Sequence, residues 1–246
     1  MVKALLTALL LLAALAPGAR AEALVARLSA ERIAVTTAFT GESLLVFGST
    51  EEPIGPGGDE ILVVARGPTA PFVVRRKVRV LGLWLNGPSA RFEEVPGFYA
   101  ILGSRAAWRL LPEAVRQERG LGLDALPLAA SGARGPAFRA ALLELKREAG
   151  LWQEEAGEVE IAGARLFSAR IPLPSTVPAG AYSVEVYLVR SRRIVATEFL
   201  GFEVARTGTA ARIEALARGA PALYGLLCVV LAALAGWLGS VVFRRG

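Results

Sequence analysis

The chain has 246 residues, 54% of them hydrophobic and 20% charged, with no histidine and one cysteine. It is too apolar for intrinsic disorder and too long and cysteine-poor for a disulfide-stapled miniprotein. Its mean hydropathy of +0.47 is high for a soluble domain, and the excess lies at the two ends.

Met1-Val2-Lys3, an uncharged stretch from Ala4 to Ala16, and Ala19-Arg20-Ala21 form the basic start, apolar middle and small-x-small site of a secretory signal peptide. An uncleaved anchor would need roughly 20 apolar residues. Residues 1–21 are therefore expected to be removed. At the other end, Ala220 to Phe243 is 24 residues without a charge, long enough to cross a bilayer with some tilt. Tyr224 and Trp237 stand near its ends, as interfacial aromatics do.

Arginines flank this span on both sides: Arg206, Arg212 and Arg218 before it, Arg244 and Arg245 after it. The positive-inside rule alone does not orient the chain. The signal peptide does, placing residues 22–206 in the periplasm, 207–219 as a juxtamembrane helix, 220–243 across the inner membrane and 244–246 in the cytoplasm. Without Lys3, Arg20, Arg244 and Arg245, the formal +6 falls to 24 basic against 22 acidic residues, or +2. The sequence pI of about 10.1 thus reflects targeting charge largely, and nucleic acid is not an expected partner.

Cys228 lies in the span, so no intramolecular disulfide is available. Without histidine the imidazole base, the Ser-His-Asp triad and His-containing zinc sites are excluded; without an exported cysteine, thiol chemistry is too. No metal or other cofactor is expected.

From Ala23 to Ser104 the chain reads as short strands: Leu24 to Leu28, Arg32 to Ala38, Ser43 to Gly48, Glu60 to Arg66, Phe72 to Leu85, Ala90 to Val95 and Gly97 to Leu102. Around 105–152 the period becomes helical. Pro136 to Ala149 places Phe138, Ala141, Leu142, Leu145 and Ala149 on one face, and a shorter helix from Ala106 to Arg119 is interrupted by Pro112. Strands resume at Glu158 to Ile161, Ala164 to Ile171, Ala181 to Val189 and Ile194 to Ala205. The alternation after Pro178-Ala179-Gly180 is similar to the last hairpin of immunoglobulin-like sandwiches. The expected fold is mainly β, an immunoglobulin-like β-sandwich with a helical insertion at about 105–152 and one C-terminal transmembrane helix.

Thr36-Thr37-Ala38-Phe39-Thr40-Gly41, Leu44 to Gly48, Val73 to Lys77 with Gly82 to Asn86, and Val95 to Ala100 carry a family likeness, extended by Pro178 to Leu188 and Leu223 to Arg244. On these segments the chain resembles a family of transmembrane proteins described mainly from Alphaproteobacteria. The resemblance implies topology rather than chemistry, and it transfers no catalytic residue. It also implies, through genes that neighbour sulfite-exporter-like transporters, an accessory role beside such an integral membrane partner.

Arg75, Arg76, Lys77 and Arg79 put four cations in five positions of one strand. Alternation places Arg75, Lys77 and Arg79 on one face, where they could cradle a sulfonate, sulfate, phosphate or lipid headgroup; an edge strand protected by charge accounts for them equally well. The neighbours Asp59-Glu60, Glu93-Glu94 and Glu154-Glu155 point to opposite faces of a strand, so a carboxylate-dependent envelope enzyme has little support. Asp59, after a glycine run, reads as an ordinary turn residue. Trp84, Phe98, Tyr99, Trp108 and Trp152 read as core packing rather than a ligand groove. In the span, Cys228, Ala232, Gly236 and Ser240 recur every four residues, a small-residue ridge that would let another helix, or a second copy, approach closely. The functional expectation is a single-pass, non-catalytic accessory or binding subunit of a membrane complex, with a periplasmic sensor or binder of small anions as the runner-up.

Overall fold

The computed structural model describes residues 23–36, 38–55, 57–133, 135–207 and 216–243. The expected signal peptide, most of the juxtamembrane segment and the C-terminal tail lie outside these residues. Thirteen strands run through the described chain: β1 (Leu24–Leu28), β2 (Arg32–Val35), β3 (Gly41–Thr50), β4 (Glu60–Arg66), β5 (Thr69–Val80), β6 (Leu83–Pro96) and β7 (Tyr99–Gly103) come first. Helices α1 (Ala107–Leu110) and α2 (Glu113–Arg119), β8 (Ala130–Gly132) and α3 (Pro136–Glu148) follow. Then come β9 (Trp152–Glu158), β10 (Glu160–Ala162), β11 (Leu166–Pro174), β12 (Gly180–Arg190), β13 (Arg193–Arg206) and the apolar helix α4 (Pro221–Phe243).

The strands form three sheets, ordered β1-β3-β11-β10, β2-β13-β12-β4-β7-β9 and β5-β6-β8. In the first sheet every pairing is antiparallel. In the second, β2 joins β13 and β9 joins β7 in parallel. The first two sheets face each other: Leu44, Val46, Phe167 and Ile171 of one meet Ile61, Val63, Val184 and Val186 of the other. Within the first sheet Gly48 makes room for its neighbours, because a Cβ there would lie 2.2 Å from the Val25 carbonyl of β1 and 2.6 Å from the Phe167 ring of β11.

The opposite face of the six-stranded sheet is covered as well. Leu62, Val64, Tyr99, Ile101, Trp152 and Tyr187 pack under Leu110, Leu111, Leu121 and Leu142 from the helical segment and under Val74, Ala90 and Phe92 from the β5–β6 hairpin. That double coverage explains the unbroken apolar run Ile61-Leu62-Val63-Val64-Ala65, buried at every position.

Three sequence expectations change. Phe72 to Leu85 is not one strand: it turns at Leu81-Gly82, and the second arm continues through Ala90–Val95 as β6. Helix α3 is rotated from its expected face, burying Leu142 and Lys146 and leaving Leu145 47% exposed. Trp84 and Trp108 are not core residues, being 67% and 58% exposed, whereas Phe98, Tyr99 and Trp152 are buried.

Candidate functional site

The layer between the six-stranded sheet and the helices is held by one polar cluster. Arg66, at the end of β4, pairs with Glu185 of β12 at 2.7 Å and donates to the carbonyls of Arg119 and Gly120 at 2.9 and 3.3 Å. Gly120 ends α2 at φ 63°, a left-handed cap that turns those carbonyls back toward the sheet. Tyr99 donates its hydroxyl to the Gly120 carbonyl (3.1 Å) and accepts from the Gly122 amide (2.8 Å). Burial pushes the Tyr99 hydroxyl up to about 12. Tyr187, which donates to Glu185, is also raised to about 12, by burial first and the carboxylate second.

Beside this cluster opens a cleft of about 1070 Å³ between β7, β9 and helices α1 and α2. Its walls carry Arg105, Arg109, Arg116 and Arg147 against Glu154 and Glu158, with Trp108 at the rim. Arg105 pairs with Glu60, and Arg147 with Glu154 at 3.2 Å. Arg116 is buried and reaches both carboxylate oxygens of Asp124, at 2.8 and 2.9 Å, while its Nε has no hydrogen-bond partner among the described residues. Arg109 lies over the Trp108 ring, 4.8 Å from its centroid, and has no carboxylate partner among the described residues. The Arg109 guanidinium thus keeps unused donor capacity on a concave wall, while the Arg116 Nε is itself enclosed; the wall suits a carboxylate, sulfate or phosphate group through Arg109. The sequence carried no local signal for this cleft, since its arginines come from separate elements and only the fold gathers them.

The residues singled out from sequence lie elsewhere. Arg75, Lys77 and Arg79 occupy alternate positions of β5, opposite Ser89, Asn86 and Trp84, on the outer strand of the three-stranded sheet. They and Arg76 are exposed and make no ion pair or side-chain hydrogen bond among the described residues. Cys228, Ala232, Gly236 and Ser240 lie on α4, all exposed, with Ser240 donating to the Trp237 carbonyl at 2.9 Å. Asp59 is not an ordinary turn residue. It is fully buried and receives both arms of Arg190, at 2.7 and 3.1 Å.

Within helix α4 the 20 residues Pro221–Ser240 carry no charge, are not buried against the rest of the described residues, and are long and apolar enough to cross a membrane. The family described as "Putative transmembrane protein (Alph_Pro_TM)" matches residues 23–245. The chain belongs to this family. The match takes in α4, the one helix among the described residues long and apolar enough to cross a membrane, together with all three sheets and the cleft. No curated protein matches the chain.

Proposed function

We propose that the chain is a single-pass inner-membrane protein that presents an immunoglobulin-like domain to the periplasm and serves as a non-catalytic accessory or binding subunit of a membrane complex. The observation that carries this reading is the arginine-lined cleft on a domain tethered by a bare apolar helix. Such a cleft fits an acidic segment of an integral membrane partner, and a sulfite-exporter-like transporter is the partner class proposed. Support for the immunoglobulin-like assignment comes from strand order. With β1, β3, β11 and β10 in the A, B, E and D positions and β4, β12 and β13 as C, F and G, the two sheets follow the immunoglobulin pattern. Tyr182, at the start of β12, donates to the Pro178 carbonyl at 2.6 Å, as the tyrosine corner of that fold does.

The non-catalytic reading draws on how the carboxylates are used. Asp59, Glu60, Glu93, Glu154 and Glu160 each engage an arginine, and Asp124, whose carboxylate lies near that of Glu154, is held by Arg116. Periplasmic orientation draws on the signal-peptide pattern of residues 1–21.

A photo-crosslinking amino acid in place of Trp108, in the full chain in its own membrane, tests the proposal. Capture of one integral membrane protein, abolished by Arg109→Glu, is expected. The runner-up, an anchored binder of a small anion, is favoured by the Arg109 guanidinium, which makes no ion pair among the described residues. It takes over if no protein is captured and the purified chain binds sulfate or a sulfonate by calorimetry in an Arg109-dependent manner.

A further inference from the structure

The β5–β6 hairpin carries a surface that neither core uses. Its root is packed through Val74, Ala90, Phe92 and Val95. Residues 75–89 then leave the body of the domain, and all are exposed except the half-buried Val78 and Gly87. At about 3.3 Å per residue this projecting part reaches roughly 20 Å.

Its chemistry is divided along its length. At the end, Val78 stands opposite Leu85 and Val80 opposite Leu83, so these four share a face. Leu81 forms the apex at 99% exposure, and Trp84 is 67% exposed on the other face. Arg79 stands opposite Trp84 on that other face, Arg75, Arg76 and Lys77 come behind the apolar end, and residues 75–89 contain no acidic side chain. The turn itself has φ 50° at Leu81 and 84° at Gly82. Asn-Gly is the usual filling of such a turn, and a leucine there bears a steric cost with no packing to offset it. Solubility and stability both argue against this tip.

We infer that the hairpin docks on the bilayer: its apolar end, Val80 to Leu85, enters the interface of an anionic leaflet while Arg75, Arg76, Lys77 and Arg79 engage the headgroup phosphates. Charge complementarity favours lipid over a protein occupant, since each cation near an anionic surface strengthens association about five-fold. Tryptophan at such a tip matches the amphipathic interface zone. Tethering makes weak docking effective, because only fourteen residues separate Arg206 from Pro221. The hairpin also springs from the end of the six-stranded sheet where β13 departs toward α4, as the pairings Gly180 with Val204, Ser183 with Arg66 and Arg66 with Tyr99 require. The inference rests on the anchorage within the proposed function and not on the cleft or its partner.

The test uses the full chain with Cys228→Ala, carrying an environment-sensitive fluorophore on Leu81→Cys or, as control, Arg192→Cys at the other hairpin tip. Each is placed in nanodiscs of phosphatidylcholine with and without phosphatidylglycerol, free of other proteins. Docking predicts blue-shifted emission and quenching by brominated acyl chains for the Leu81 site in anionic discs, and water-like emission for the Arg192 site. Arg75→Ala, Lys77→Ala and Arg79→Ala together should cut the docked-to-free ratio by about a hundred-fold. Water-like emission at Leu81 in incorporated chain overturns the inference, as does protection that appears only when a captured membrane protein is added. Failure of anchorage reads out separately, as chain that does not incorporate.

Discussion

Two hairpins of this domain share a turn geometry and differ in everything attached to it. β12–β13 turns at Ser191 and Arg192, with φ 49° and 62°; β5–β6 turns at Leu81 and Gly82, with φ 50° and 84°. The first hairpin is the middle of the six-stranded sheet, contributes to both cores and ends in polar residues. The second is packed only at its root and ends in Leu81, Leu83, Trp84 and Leu85, all exposed. Backbone twist dictates the shared turn; side-chain chemistry at the tip is then free to serve the surroundings. Where the tip is polar, water is its environment, and the apolar tip calls for another.

The largest test of the contrast is at the end of β12. Arg190→Ala leaves the fully buried Asp59 without its partner, and the largest loss of stability of the set is expected in chemical unfolding. A loss under about 1 kcal/mol would mean that this hairpin end is no better tied down than the other.

Alkaline titration gives the next effect and its sign. Tyrosine in the unfolded chain titrates near about 10, whereas Tyr99 and Tyr187 are each pushed up to about 12. The unfolded chain therefore releases these protons first. Their contribution is intact below pH 10 and is lost as pH rises through 12, about 3 kcal/mol from Tyr99 alone. Unfolding midpoints followed against tyrosinate absorbance check this, and a flat profile across that window would contradict it.

Lys146 sharpens the comparison at the root of the apolar hairpin. It is buried, lies 4.9 Å from the Phe72 ring centroid, and burial lowers its pKa. A lysine lowered in the folded state favours folding more as pH rises toward its ordinary value, so Lys146→Met should stabilise the chain by about 1 kcal/mol at neutral pH and flatten that rise. The smallest effect belongs to the tip: Leu81→Asn should leave stability unchanged or raise it by about 0.5 kcal/mol, since asparagine suits the positive φ. Destabilisation beyond about 1 kcal/mol would show that Leu81 serves folding after all.

Much of the fold could be read from the sequence because strand alternation and helix punctuation are local. Leu24–Leu28 and Glu60–Arg66 coincide with strands, and Pro136 starts α3 as expected of proline in a first turn. The β5–β6 hairpin was hidden because its turn uses leucine where the chemistry of such turns calls for asparagine, so Phe72 to Leu85 reads as one strand. The rotation of α3 was hidden because Lys146 is buried against Phe72 and Trp152, where its stem and charge meet aromatic faces. Asp59 follows glycines, yet its partner Arg190 lies 131 positions away. The arginine cleft is of the same kind: four arginines scattered along the sequence become one wall only when β7, β9 and helices α1, α2 and α3 assemble.

The central claim is that this is a membrane-anchored accessory subunit, and the most direct measurement is the composition of the particle extracted from its own membrane in a lipid-retaining polymer. Native mass spectrometry should find the chain in fixed stoichiometry with one integral membrane protein, and Arg109→Glu should release it. A particle holding only this chain and lipid, unchanged by Arg109→Glu, would contradict the account.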